Sequence, residues 1–134
     1  MNDFDLDTIR ISLHILAACV WVGGQVVMGV LVPVLRDISP DAPKRVANQF
    51  AKVAWPAFGL AVVTGIWNLL EIESGQSTAY NITLGVKLLL VAAVGISAAV
   101  HSLTPSPAIR GITGAVGLFG SLAAVVFGVM LVWG

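Results

Sequence analysis

Four long apolar stretches separated by short polar ones organise this chain. The first, ISLHILAACVWVGGQVVMGVLVPVL at 11–35, contains no Asp, Glu, Lys or Arg. About 20 apolar residues carry a helix across the hydrocarbon core of a bilayer, so the length alone predicts a membrane span. Apolar length and helix breakers predict four such spans, at about 7–35, 40–70, 80–101 and 108–133. Asp7 or Thr8 is the expected N-cap of the first, and Ser39-Pro40-Asp41 reads as the cap and first-turn proline of the second. The second span starts amphipathically. Lys44, Arg45, Asn48, Gln49 and Lys52 should hold its first turns among headgroups or beyond them, and Pro56 should kink it further in. A polar loop, EIESGQSTA, precedes the third span, and the prolines of Thr104-Pro105-Ser106-Pro107 end it. In the fourth, Gly117, Ser121, Ala124 and Gly128 form a narrow stripe of small residues that lets helix backbones approach closely in lipid. That stripe serves packing against the other spans or, alternatively, a dimer interface.

Composition agrees with the pattern. Hydrophobic residues make up 57% of the 134 and charged residues 10%, whereas a soluble domain carries roughly 25% charged residues. The formal net charge is zero, which leaves no basic surface to displace counterions from a phosphate backbone and excludes nucleic acid as a partner. The opening MNDFDLDTIR is acidic where a signal peptide would be basic, so the first helix is expected to remain in the mature protein. Basic residues Arg36, Lys44, Arg45, Lys52 and Arg110 cluster after spans one and three, opposite Asp3, Asp5, Asp7, Glu71 and Glu73. The positive-inside rule then places both termini outside, with Trp67, Tyr80 and Trp133 in the outer aromatic belt. The expected fold is an all-α membrane protein. It is a single four-helix transmembrane domain, an antiparallel bundle with the N- and C-termini out, whose first partner is the lipid bilayer.

Polar residues inside the spans carry the candidate chemistry, because an ionisable side chain in hydrocarbon is costly unless it faces protein, water or a ligand. Spans one and three run in the same direction, and His14 and Lys87 each lie about seven residues in, a shared layer roughly 10 Å below the outer helix ends. His101 is about 21 Å further along span three and cannot join His14 at one ion within a protomer. At 100° per residue, His14, Ala18, Trp21, Gln25 and Met28 share a sector of about 80° on span one, and Cys19 points about 140° away. Cys19 is then a small buried apolar side chain. On span three Tyr80, Thr83, Lys87, Ala98 and His101 share a face. Both stripes should turn inward, which makes His14 the candidate metal ligand and Lys87, Trp21, Gln25 and Thr83 candidate cofactor-binding residues. The plainer reading of His101 is a hydrogen bond to a neighbouring backbone. Met130 is a further soft ligand by chemistry alone. Imidazole ligates copper or haem iron, and an ammonium neutralises an anion such as a haem propionate. On spacing alone a porphyrin, which brings four nitrogens, suits a lone histidine better than a bare ion does. The acidic residues all lie in loops or at helix ends and form no catalytic acid–base pair.

The ordered set His14-x6-Trp21-x-Gly23-Gly24, Pro33-x-Leu35, Thr64-Gly65 with Asn68, and Leu84-x2-Lys87-Leu88 resembles the copper-resistance D (CopD) family of bacterial membrane proteins. It covers most of spans one to three and is weak in span four. The resemblance implies copper handling or transport at the bacterial inner membrane, with His14 as the matched site. A wider resemblance, to HemJ-type protoporphyrinogen oxidases, implies a haem b protein with a functional histidine in the first span and a lysine in the third, matched by His14 and Lys87. The chain departs from the oxidases at Gln25-Val26-Val27-Met28-Gly29, which lacks their Leu-Pro-Arg-Leu segment. A third reading is a small structural subunit, self-associating or part of a larger membrane complex.

Overall fold

The computed structural model describes residues 5–134. They form four α-helices: α1 (Leu6–Ile38), α2 (Ala42–Leu70), α3 (Thr78–Leu103) and α4 (Pro107–Trp133). No strand occurs among the described residues. Each helix has at least 26 residues, more than the roughly 20 a span requires. Each is apolar enough for one, with α2 the least so. The protein is therefore an all-α, multi-pass membrane protein.

The helix ends follow capping chemistry, in two places against expectation. The N-cap of α1 is Asp5, not Asp7 or Thr8. Its backbone is extended and its carboxylate accepts from Thr8 N at 2.8 Å and Thr8 Oγ1 at 2.9 Å, the usual reach from an N-cap to the third helical residue. Those bonds hold the exposed Asp5 carboxyl below its ordinary range. At the next junction, Ser39 terminates α1, its N–H bonding Leu35 O, and α2 begins after Asp41 with Pro43 in its first turn. Pro43 thus fills the place expected of Pro40, and Asp41 caps without a side-chain bond. Ser77 and Ser106 cap α3 and α4 through Tyr80 N and Ile109 N. Gly75, at φ +91°, makes the turn before α3, a conformation that disfavours any side chain.

The helices group as two hairpins, α1 with α2 and α3 with α4. In the first, the inward stripe of α1 is Arg10, His14, Ala17, Trp21, Gly24 and Met28, alternating steps of four and three as in a heptad seam. Arg10, Ala17 and Trp21 are buried, as are Ala54 and Thr64 on α2. Trp21 stacks at 4.6 Å on Phe58 and 5.5 Å on Trp55, ring centre to ring centre. Gly24 admits the Phe50 ring, which a Cβ there would overlap, whereas Gly23 faces open space.

In the second hairpin Lys87, Val94 and His101 recur every seven residues and meet Gly128, Gly120 and Gly114 respectively. Val94 is 3% exposed, and Gly117 and Ser121 are buried. The small-residue stripe of α4 therefore packs on α3, which supports the first of its two readings. Elsewhere the helices present exposed Leu, Val, Ile and Phe, among them Leu16, Val63, Leu89 and Phe119. Contiguous apolar surface of this extent suits hydrocarbon rather than water.

Candidate functional site

His14 lies two turns into α1 on the stripe that faces α2. Its Nδ1 is 3.0 Å from Thr64 Oγ1, and Thr64 Oγ1 lies 2.6 Å from Leu60 O and 3.2 Å from Ala61 O. Carbonyl oxygens only accept, so the threonine proton points along its own helix and its oxygen lone pair receives the proton of His14 Nδ1. In a neutral imidazole, this bond puts the ring proton on Nδ1. A hydrogen bond that orients the ring through one nitrogen is a feature that metal-ligating histidines share. Gly65 lets the ring lie against α2, since a Cβ there would come 3.3 Å from His14 Cε1.

One turn outward, roughly 6 Å, a charged layer covers the histidine. Arg10 is a buried residue of α1, 8% exposed. Its Nη1 is 2.9 Å from Asp7 Oδ1 and 3.8 Å from Glu71 Oε1, and its guanidinium stands 5.8 Å over Trp67. Trp67 thus serves as a cation–π floor besides its expected place in an aromatic belt. Arg10 Nε and Asn68 Oδ1 are buried with no hydrogen-bond partner among the described residues. Neither the burial of Arg10 nor the partner of His14, Thr64, is marked by the pattern within a single span. Level-matching antiparallel α1 with α2 is the signal that pairs His14 with Thr64 and Arg10 with Trp67.

The other candidates are placed as follows. Trp21 belongs to the aromatic cluster with Trp55 and Phe58, and Gln25 Nε2 donates to Trp21 O at 3.2 Å. Cys19 is exposed rather than buried, because its side of α1 points away from α2. In the second hairpin the Lys87 ammonium reaches Gly128, where a Cβ would come 3.2 Å from Nζ. Thr83 Oγ1 donates to Ala79 O at 2.9 Å, within its own helix. His101 Nδ1 donates to Arg110 O at 2.9 Å, the backbone bond expected of it. Met130 is exposed. Among the described residues no three His, Cys, Asp or Glu side chains group as a metal cage.

Four membrane-length helices, with His14 of α1 hydrogen-bonded to Thr64 of α2, describe a multi-pass membrane protein. Compared with known families, the chain matches Copper resistance protein D (CopD) over residues 44–133. It belongs to that family and is a copper-resistance-related membrane protein. The matched stretch runs from the start of α2 to the end of α4. It thus includes the helix where the sequence resemblance is weak and begins after the one that carries His14. No curated protein and no solved structure gave a match.

Proposed function

We propose that this CopD-family protein handles copper at the bacterial inner membrane, with His14 as the ligand in its first hairpin. The observation that supports the reading is the Thr64–His14 hydrogen bond, which holds the imidazole in place against α2 within the first hairpin. Imidazole is a good copper ligand. A single nitrogen contact is suited to receiving and releasing an ion rather than storing it, and Trp21 with its aromatic partners keeps the layer below apolar. Lys87 and Thr83 of the second hairpin enter as residues to be varied in parallel. In the proposed orientation both termini and the His14 end of α1 lie outside, as the distribution of basic residues suggests.

The test is metal analysis and an absorption spectrum on one purified, monodisperse sample. Copper bound by the native protein and lost in His14→Ala supports the reading. A Soret band that His14→Ala abolishes would replace it with haem binding, and neither copper nor haem would leave the structural-subunit reading. Orientation is checked separately in a Cys19→Ser background. Ser74→Cys should react with a membrane-impermeant maleimide from outside, and reaction only from the cytoplasm would reverse the topology.

A further inference from the structure

The loop end of the first hairpin carries a groove of about 970 Å³ between α1 and the amphipathic start of α2. Gly24, Val27 and Met28 of α1 form its apolar wall, and Arg45, Asn48, Gln49 and Lys52 of α2 form its polar rim. The rim residues are exposed, and neither Arg45 nor Lys52 makes an ion pair among the described residues. Over residues 36–52 four bases (Arg36, Lys44, Arg45, Lys52) face two acids (Asp37, Asp41), so the segment carries two net positive charges.

Depth makes the charges informative. A helix of the length of α2, 29 residues, is about 44 Å long against a hydrocarbon core of about 30 Å. Lys52 is ten residues from the helix start, about 15 Å along the axis. Centred on the core, α2 would put the Lys52 backbone several ångströms inside it, so its ammonium has to extend toward the headgroups. Arg45 lies two turns closer to the surface on the same face, with Asn48 and Gln49 between. The rim thus offers two cations and two amides to an acceptor at headgroup depth, beside an apolar wall.

We propose that this groove binds an anionic phospholipid, its phosphate held by Arg45 and Lys52 and one acyl chain lying along Val27 and Met28. A phospholipid meets both halves of the groove: an anion for the rim and a chain for the wall. The volume is at the upper end of small-molecule pockets, which run to about 1,000 Å³, enough for a headgroup and the first part of a chain. Basic recesses between membrane helices bind such headgroups. The site does not depend on the copper reading.

Native mass spectrometry of the full-length protein, delipidated in detergent and titrated with phosphatidylglycerol or phosphatidylcholine of identical chains, tests it. The native protein should retain phosphatidylglycerol more tightly, and the preference should fall about 25-fold in Arg45→Gln/Lys52→Gln, at about five-fold per cation. Arg45→Lys/Lys52→Arg should restore it, and Lys44→Gln, outside the groove, should leave it unchanged. Excess inorganic phosphate should not displace the lipid if the chain contributes. Displacement by phosphate would reduce the groove to a simple anion site and overturn the proposal. So would equal retention of the two lipids, or an undiminished preference in a double variant whose circular dichroism is native. A native protein that dimerises through this groove and takes up no lipid would assign it to a second copy instead.

Discussion

Replacing Thr64 with valine isolates the bond on which the reading of His14 depends. Valine keeps the shape of threonine and removes only the oxygen that accepts from His14 Nδ1–H. Thr64 is 2% exposed, so water does not easily replace it. Hydrogen bonds between membrane helices contribute about 0.6 kcal/mol on average and about 1.7 at most, and the expected loss of hairpin stability is accordingly about 1 kcal/mol. The effect on metal should be larger. Without its acceptor the imidazole is no longer biased toward the Nδ1–H form, and loss of such an orienting partner lowers metal affinity by about 10- to 100-fold. Two assays separate the effects. The ¹⁵N shifts of labelled histidine report the tautomer directly, and competition for copper(I) against a chromophoric chelator reports affinity. Thr64→Ser, which keeps the hydroxyl, should behave like the native protein in both. If Thr64→Val retains the native tautomer and binds copper within two-fold of native while His14→Ala binds none, the role given to Thr64 is wrong.

Gly24→Ala should destabilise the first hairpin by about 1–3 kcal/mol, the usual range for overpacking, because Phe50 must leave its place, whereas Gly23→Ala should be neutral or slightly stabilising; reversible unfolding in mixed micelles compares the two. Gly120→Ala should cost a similar amount in the second hairpin, since a Cβ there would come 2.8 Å from a methyl of the buried, β-branched Val94, and a thermal-stability assay that finds no loss would contradict the described packing. The Asp5 carboxyl is held below its ordinary value mainly by the Thr8 N–H. Its capping contribution is therefore present above the unfolded value and lost as pH falls through the lower, folded one, so the protection of the Thr8 amide, relative to its intrinsic exchange rate at each pH, should fall on acidification, and Asp5→Asn should remove that pH dependence. Asp7→Asn should cost less than about 1 kcal/mol, because its carboxylate is largely solvated; unfolding at low and high salt measures it.

The number of helices, their lengths and the class of protein were legible in the chain, because apolar runs of this length have one favourable solution in a bilayer. Every backbone polar group must be satisfied within the segment, and no tertiary contact is needed to say so. The inward stripe of α1 was legible in part for the same kind of reason: His14, Trp21 and Met28 share a face by helical periodicity alone, whereas Ala17 and Gly24 stand on it in place of the expected Ala18 and Gln25. Capping was less so. Asp5, Asp7 and Thr8 are all competent caps in sequence, and the choice fell to the residue whose carboxylate reaches an N–H three positions on. At the next junction Ser39 closes α1 instead of capping α2, and Asp41 and Pro43 take the places expected of Ser39 and Pro40.

What the tertiary structure decided is which side chains meet across the helix pairs. His14 and Thr64 are fifty residues apart, and nothing local to either marks the other. Their bond follows from the antiparallel register of α1 on α2, which Gly24 under Phe50 and Trp21 between Trp55 and Phe58 help to set. The same register buries Arg10 over Trp67 rather than leaving it in water. In the second hairpin it seats Val94 on Gly120 and gives His101 to Arg110 O. Hydrophobic length determines that a helix crosses the bilayer. Only interdigitation of one helix with the next determines what each polar group inside it finds, because lipid supplies no partner for it.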